Sequence, residues 1–237
     1  YLISIKDSDW VHGLQAYGEL LFLNSMTLEG DVRSKKEIET FLTNSIKEPS
    51  KHSKIRLGFA YAAANLWGEY PARDRVTDIM VQMIPHLDET ESNAIMDVFR
   101  LTDPFPCDEA TLKFLDAMCQ NPSILKTGGG SFLIDRIQDL LPAKPEIVFR
   151  VCRTFVETLK DQITDIRTSL FASAQELVNI ALTLQRYEGK NREQGLELFE
   201  MLLELNAYGA KSSLDELDGR PINVSPRPPR RRRRKGK

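Results

Sequence analysis

The chain has 237 residues, 41% hydrophobic and 28% charged, the composition of a folded globular protein with a sizeable core. No run of about 18 apolar residues occurs, which excludes a membrane-spanning helix, and three unspaced cysteines exclude a disulfide scaffold. The net charge of −2 hides a split, because residues 221–237 hold eight of the 32 Lys and Arg residues and no acid, leaving the body at −10.

Apolar residues recur at three- and four-residue spacing almost throughout, and period-2 alternation is nearly absent, so the chain is expected to be all-α. A helix is expected from about Trp10 into Leu20–Leu23, then one over Lys35–Ile46, stopped by Glu48-Pro49. A third follows Ser53, with Ile55, Phe59, Ala62, Ala63 and Leu66 on its apolar side. Asp74 is placed to cap a fourth, carrying Val76, Ile79, Met80 and Met83, and Asp88 opens a fifth that ends before Asp103-Pro104. A sixth starts near Asp108 and ends at Asn121-Pro122. A seventh follows Gly128-Gly129-Gly130-Ser131, and Pro145 suits the first turn of an eighth. A ninth is expected from Thr168 to Tyr187 with Gly189 as its C-terminal cap, a tenth from Arg192 to Leu205, and a short last one over Ser212–Leu217.

Taken in pairs, these helices begin near residues 9, 53, 88, 128 and 169. Hairpins recurring at roughly 40 residues are the spacing of HEAT or armadillo repeats, each too apolar on one face to stand alone. The expected fold is therefore a HEAT/armadillo-like α-solenoid of antiparallel helix pairs over residues 1–220, in about five hairpins. Because the repeats share no consensus letters, an irregular helical bundle is the alternative. Residues 221–237, Pro-rich and then Arg-rich, are expected to form a disordered basic tail. Tyr1-Leu2-Ile3-Ser4-Ile5 lacks the charged region and cleavage site of a signal peptide, so the start reads as a cut inside a longer polypeptide. Reduced thiols and the missing leader together suggest a cytoplasmic protein.

Side chains capable of chemistry are scattered. His12, His52 and His86 have no cysteine or carboxylate at ligand spacing, so no metal or catalytic role is assigned to them. Cys119 and Cys152 read as small core residues, and Cys107 sits in a Pro-rich turn. Lys126-Thr127-Gly128-Gly129-Gly130-Ser131 reverses the order of a phosphate loop and follows a helix, so it reads as a turn between repeats. The acidic groups Asp88, Glu89 and Glu91, and Asp215, Glu216 and Asp218, are read as helix-end or exposed-face residues. Arg150, Arg153, Arg186 and Arg192 are read as solvated. The candidate binding residues are Arg227, Arg230, Arg231, Arg232, Arg233, Arg234 and Lys235, a block able to neutralise phosphates of nucleic acid or to meet an acidic protein surface. No aromatic residue interleaves them, so base stacking is not expected.

The stretch Leu196-Glu197-Leu198-Phe199-Glu200-Met201-Leu202-Leu203-Glu204-Leu205-Asn206-Ala207-Tyr208-Gly209-Ala210, with Leu214-Asp215-Glu216-Leu217-Asp218-Gly219-Arg220 after it, resembles the C-terminal ends of large bacterial STAND/NACHT-like NTPases of the anti-phage defence type. The resemblance covers about residues 170–237. It implies a non-catalytic helical module that senses a trigger or builds a scaffold, with a protein partner or its own upstream NTPase region as ligand and no cofactor. Any ATPase activity would lie outside this sequence. The alternative is an accessory domain that binds nucleic acid through the tail. No membrane role is expected.

Overall fold

The computed structural model describes residues 49–68, 73–126, 130–160 and 166–210, together with Lys36, Thr40, Asn44, Ser213 and Leu214; the side chains of residues 49–52 and 166–172 are left aside. Eight α-helices and no strand are found among them. They are α1 (Pro49–Leu66), α2 (Arg73–Met83), α3 (Glu89–Leu101), α4 (Glu109–Gln120), α5 (Gly130–Ile137), α6 (Pro145–Lys160), α7 (Ile166–Leu184) and α8 (Lys190–Glu204). The chain is all-α over this region, and no described helix is long and apolar enough to cross a membrane.

Local chemistry sets many of the boundaries. Asp88 caps α3 in a reciprocal box, its carboxylate accepting from Glu91 N–H at 2.8 Å while Glu91 accepts from Asp88 N–H at 2.9 Å. Asp108 caps α4 by accepting from both the backbone N–H and the hydroxyl of Thr111. Pro145 opens α6 as expected. Pro49 starts α1, earlier than the expected start after Ser53, because a proline in the first turn forfeits no intrahelical hydrogen bond. Gly189 is also corrected. The end of α7 closes on tight backbone bonds from Arg186 and Tyr187, and Gly189, at φ 61°, becomes the N-cap of α8.

Helices two apart in the chain pack on one another. One row runs α1, α3, α5, α7, and the other α2, α4, α6, α8; across the rows α1 touches α2, α6 touches α5 and α7, and α7 touches α8. The apolar residues between the rows form one continuous core from Ile55 to Ala210. Near its N-terminal end Trp67, Phe99, Phe105 and Phe114 stack or tilt at ring separations of 5.2 to 5.8 Å. Trp67 Nε1 donates to Thr77 Oγ1 at 2.9 Å, which satisfies the one polar atom that this ring buries. Farther along, Gly130 begins α5 where a Cβ would lie 2.4 Å from the Phe155 ring. Any larger residue there would require the Phe155 ring of α6 to shift. The odd-numbered helices start at Pro49, Glu89, Gly130 and Ile166, roughly 40 residues apart. The expected hairpin near residue 9, most of Lys35–Ile46 and the tail lie outside the described residues.

Candidate binding face

Within the first row, the contact between α1 and α3 is locked by charge. Arg56 Nε and Nη2 donate to the two carboxylate oxygens of Glu91 at 3.0 Å each, with the side chains only 3% and 1% exposed. Glu91 stands at a helix end, as expected, but it is buried there rather than solvated. It caps its own helix and pairs across to the next one with the same carboxylate. Burial pushes its pKa up, against the lowering by Asp88 N–H and Arg56. Farther along the row, Arg136 of α5 donates to the Phe99 carbonyl of α3 at 2.9 Å and pairs with Asp103.

The second row presents a different surface. Its helices are bridged on the outside by ion pairs: Asp78–Lys113 from α2 to α4 at 2.6 Å, Asp116–Arg150 from α4 to α6 at 2.6 Å, and Arg153–Glu197 and Lys160–Glu204 from α6 to α8 at 3.2 and 3.3 Å. Their side chains are 40 to 67% exposed. Arg150 and Arg153 are therefore exposed, as expected, yet committed to neighbouring helices. Arg73 is held differently, over the Trp67 ring at 5.2 Å and against Asp108. Partial burial raises the Asp108 pKa, but hydrogen bonds from Thr111 and Arg73 outweigh it and hold the carboxyl below its ordinary value.

Between these bridges the row is open. A groove of about 1030 Å³ runs over the N-terminal halves of α4, α6 and α8, and a smaller one of about 370 Å³ lies between α2 and α4. Leu112, Ile147 and Phe149 supply apolar lining to the larger groove, and Lys144 and Lys190 stand at it with no ion pair among the described residues. Two further lining residues, Asn191 and Gln194, hold their side-chain carbonyl oxygens buried without a donor among the described residues. Carbonyls tolerate such under-satisfaction better than N–H groups do.

The other candidates are placed as follows. His86 is exposed at the end of a short 3₁₀ turn (Ile84–His86), and His12 and the His52 side chain lie outside the described residues. Cys152 is fully buried, Cys119 partly so and Cys107 exposed; burial raises the thiol pKa of both Cys119 and Cys152. Of the glycine-rich turn, residues 127–129 lie outside the described set. So do Asp215, Glu216 and Asp218, and the whole binding block Arg227, Arg230, Arg231, Arg232, Arg233, Arg234 and Lys235. No cluster of three or more His, Cys, Asp or Glu residues that could hold a metal ion occurs among the described residues.

Sequence reading passed over the bridges of the second row. The signal was present: opposite charges recur about one repeat apart, 35 residues for Asp78 and Lys113 and 44 for Lys160 and Glu204. No protein-family profile matches the chain, nor does any curated protein or any solved structure.

Proposed function

We propose that this chain is a non-catalytic recognition and scaffold module, a HEAT/armadillo-like α-solenoid of antiparallel pairs. We further propose that it is the C-terminal sensor region of a larger bacterial NTPase of the STAND/NACHT-like, anti-phage defence type, working in the cytoplasm. The observation that carries the recognition reading is the division of labour between the rows. Helices two apart in the chain stack to share one core, and the second row turns a charged, grooved face outward. Repeat stacks build extended binding surfaces in this way, because each pair adds a similar outer face to a common core. The NTPase assignment rests on the resemblance of residues 170–237.

The partner would be a protein, either the trigger or the upstream NTPase region itself. Expressed as separate polypeptides, this chain and the region encoded ahead of it should co-elute on size exclusion. Reversing the groove charges with Lys144→Glu and Lys190→Glu should weaken that complex. ATP hydrolysis by this chain alone would overturn the proposal.

The tail supports a second reading, nucleic-acid binding through phosphates, since eight cationic residues and no acid occupy residues 221–237. Removal of residues 227–237 should then abolish binding, and affinity before removal should fall steeply with salt. Equal binding by the shortened chain excludes the tail as the determinant.

A further inference from the structure

The two grooves of the second row adjoin at Glu109 and Lys113, which line both. Their charge changes sign along the row. Around the smaller groove Arg73 and Lys113 face four acids, Asp74, Asp78, Asp108 and Glu109. At the far end of the larger one Lys144, Arg150, Arg153 and Lys190, from α6, α8 and the residue before α6, stand against Glu146 alone. Ion pairing leaves this polarity in place. Asp74 and Glu109 at one end, and Lys144, Lys190 and Glu146 at the other, have no ion pair among the described residues. The sequence that follows α8 carries the complementary order. Asp215, Glu216 and Asp218 come first, and residues 227–235 then hold seven Arg or Lys residues and no acid. Counted back from α8 to α2, the grooves are cationic first and acidic after.

We infer that residues 215–237 dock in cis along the second row, with the acidic stretch toward the α6–α8 end and the block from Arg227 to Lys235 on the acids of the α2–α4 end. The chain is long enough. Thirteen residues separate Leu214 from Arg227 and span up to about 43–47 Å. The path needs at most about 22 Å back along α8 and roughly 24–30 Å across three helix spacings. Exposed charge pairs contribute little one at a time, so the contact depends on several cations acting together, held at roughly millimolar effective concentration by the tether. A uniformly anionic polymer would match only one end of the row. The docked segment covers the groove that a protein partner would use and so competes with it. The contact itself concerns this chain alone, and its failure would leave the recognition reading untouched.

Paramagnetic broadening of amide signals tests this in the full-length chain, with Cys107→Ser removing the exposed thiol. A nitroxide at Gly236→Cys should broaden the amides of Asp74, Asp78 and Glu109 at about 0.01 M salt. It should release them at about 1 M, where charges are screened beyond about 3 Å. A nitroxide at Gly219→Cys should instead act on Lys144 and Lys190. With the Gly236 label, His86 and Gln120, away from both grooves, should be affected least. Asp74→Lys with Glu109→Lys should abolish the Gly236 effect. Glu89→Lys with Glu200→Lys, the same change of charge at exposed positions outside both grooves, should leave it. The inference fails if the Gly236 label leaves Asp74 and Glu109 sharp, if it broadens His86 and Gln120 as strongly, if salt has no effect, or if the two double variants act alike.

Discussion

Arg56–Glu91 and Arg150–Asp116 are both arginine–carboxylate pairs that join helices two apart in the chain, at 2.9 and 2.6 Å. By distance the second is the better contact, yet the first carries more of the fold. Arg56 and Glu91 are sealed from water, so removing either strands the other charge in a medium that cannot solvate it. Arg150 and Asp116 are half exposed, and water replaces whatever is lost. The lesson is that burial, not separation, decides what a charged contact is worth. The first row uses charge to specify which helices meet, and the second uses it to decorate a face.

Perturbing the buried pair should have the largest effect. Arg56→Met should destabilise the chain by about 3–5 kcal/mol in urea unfolding, and adding Glu91→Leu should recover part of that loss. The pH response has a definite sign. The folded-state pKa of Glu91 is raised, so its contribution is full below the unfolded carboxylate range and is lost as pH rises through the folded value. Glu91→Gln should flatten that decline, seen as thermal midpoints followed upward in pH from the ordinary carboxylate range.

Next comes Gly195 on α8, where a Cβ would meet Gln185 N at 2.6 Å and Ala181 O at 2.8 Å, both backbone atoms that cannot turn aside. Gly195→Ala gains up to about 1 kcal/mol of helix propensity but forces α7 and α8 apart at a cost of about 1–3 kcal/mol. Net destabilisation is expected; a more stable variant would mean that the helices separate freely. Asp108→Ala should cost about 0.5–2 kcal/mol through loss of the α4 cap. Because the Asp108 pKa is lowered, its contribution is full above the unfolded carboxylate range and fades as pH falls through the folded value, opposite in sign to Glu91. Smallest is Arg150→Ala, at under about 1 kcal/mol and less still in high salt.

Much of the framework was legible. The three- and four-residue apolar spacing marked the helices, and Asp88, Asp108 and Pro145 announced their starts because capping is local chemistry within one turn. What could not be read locally was which helix each face would meet. Glu91 looked like a first-turn acid, and only its meeting with Arg56, 35 residues away, makes it a buried lock. Gly189 read as the end of α7, but the tight closure of α7 leaves it as the start of α8. The groove was invisible for the same reason, since its walls come from three helices spread from Glu109 to Gln194. The most conspicuous sequence signal, the arginine block of the tail, lies outside the described residues.

The difference between the rows is tested most directly by double-mutant cycles on the two pairs, Arg56→Met with Glu91→Leu and Arg150→Ala with Asp116→Ala, at low and high salt. The coupling of Arg56 with Glu91 should be several-fold larger and almost unchanged by salt, while that of Arg150 with Asp116 should start small and vanish. Equal couplings with equal salt dependence would contradict the account.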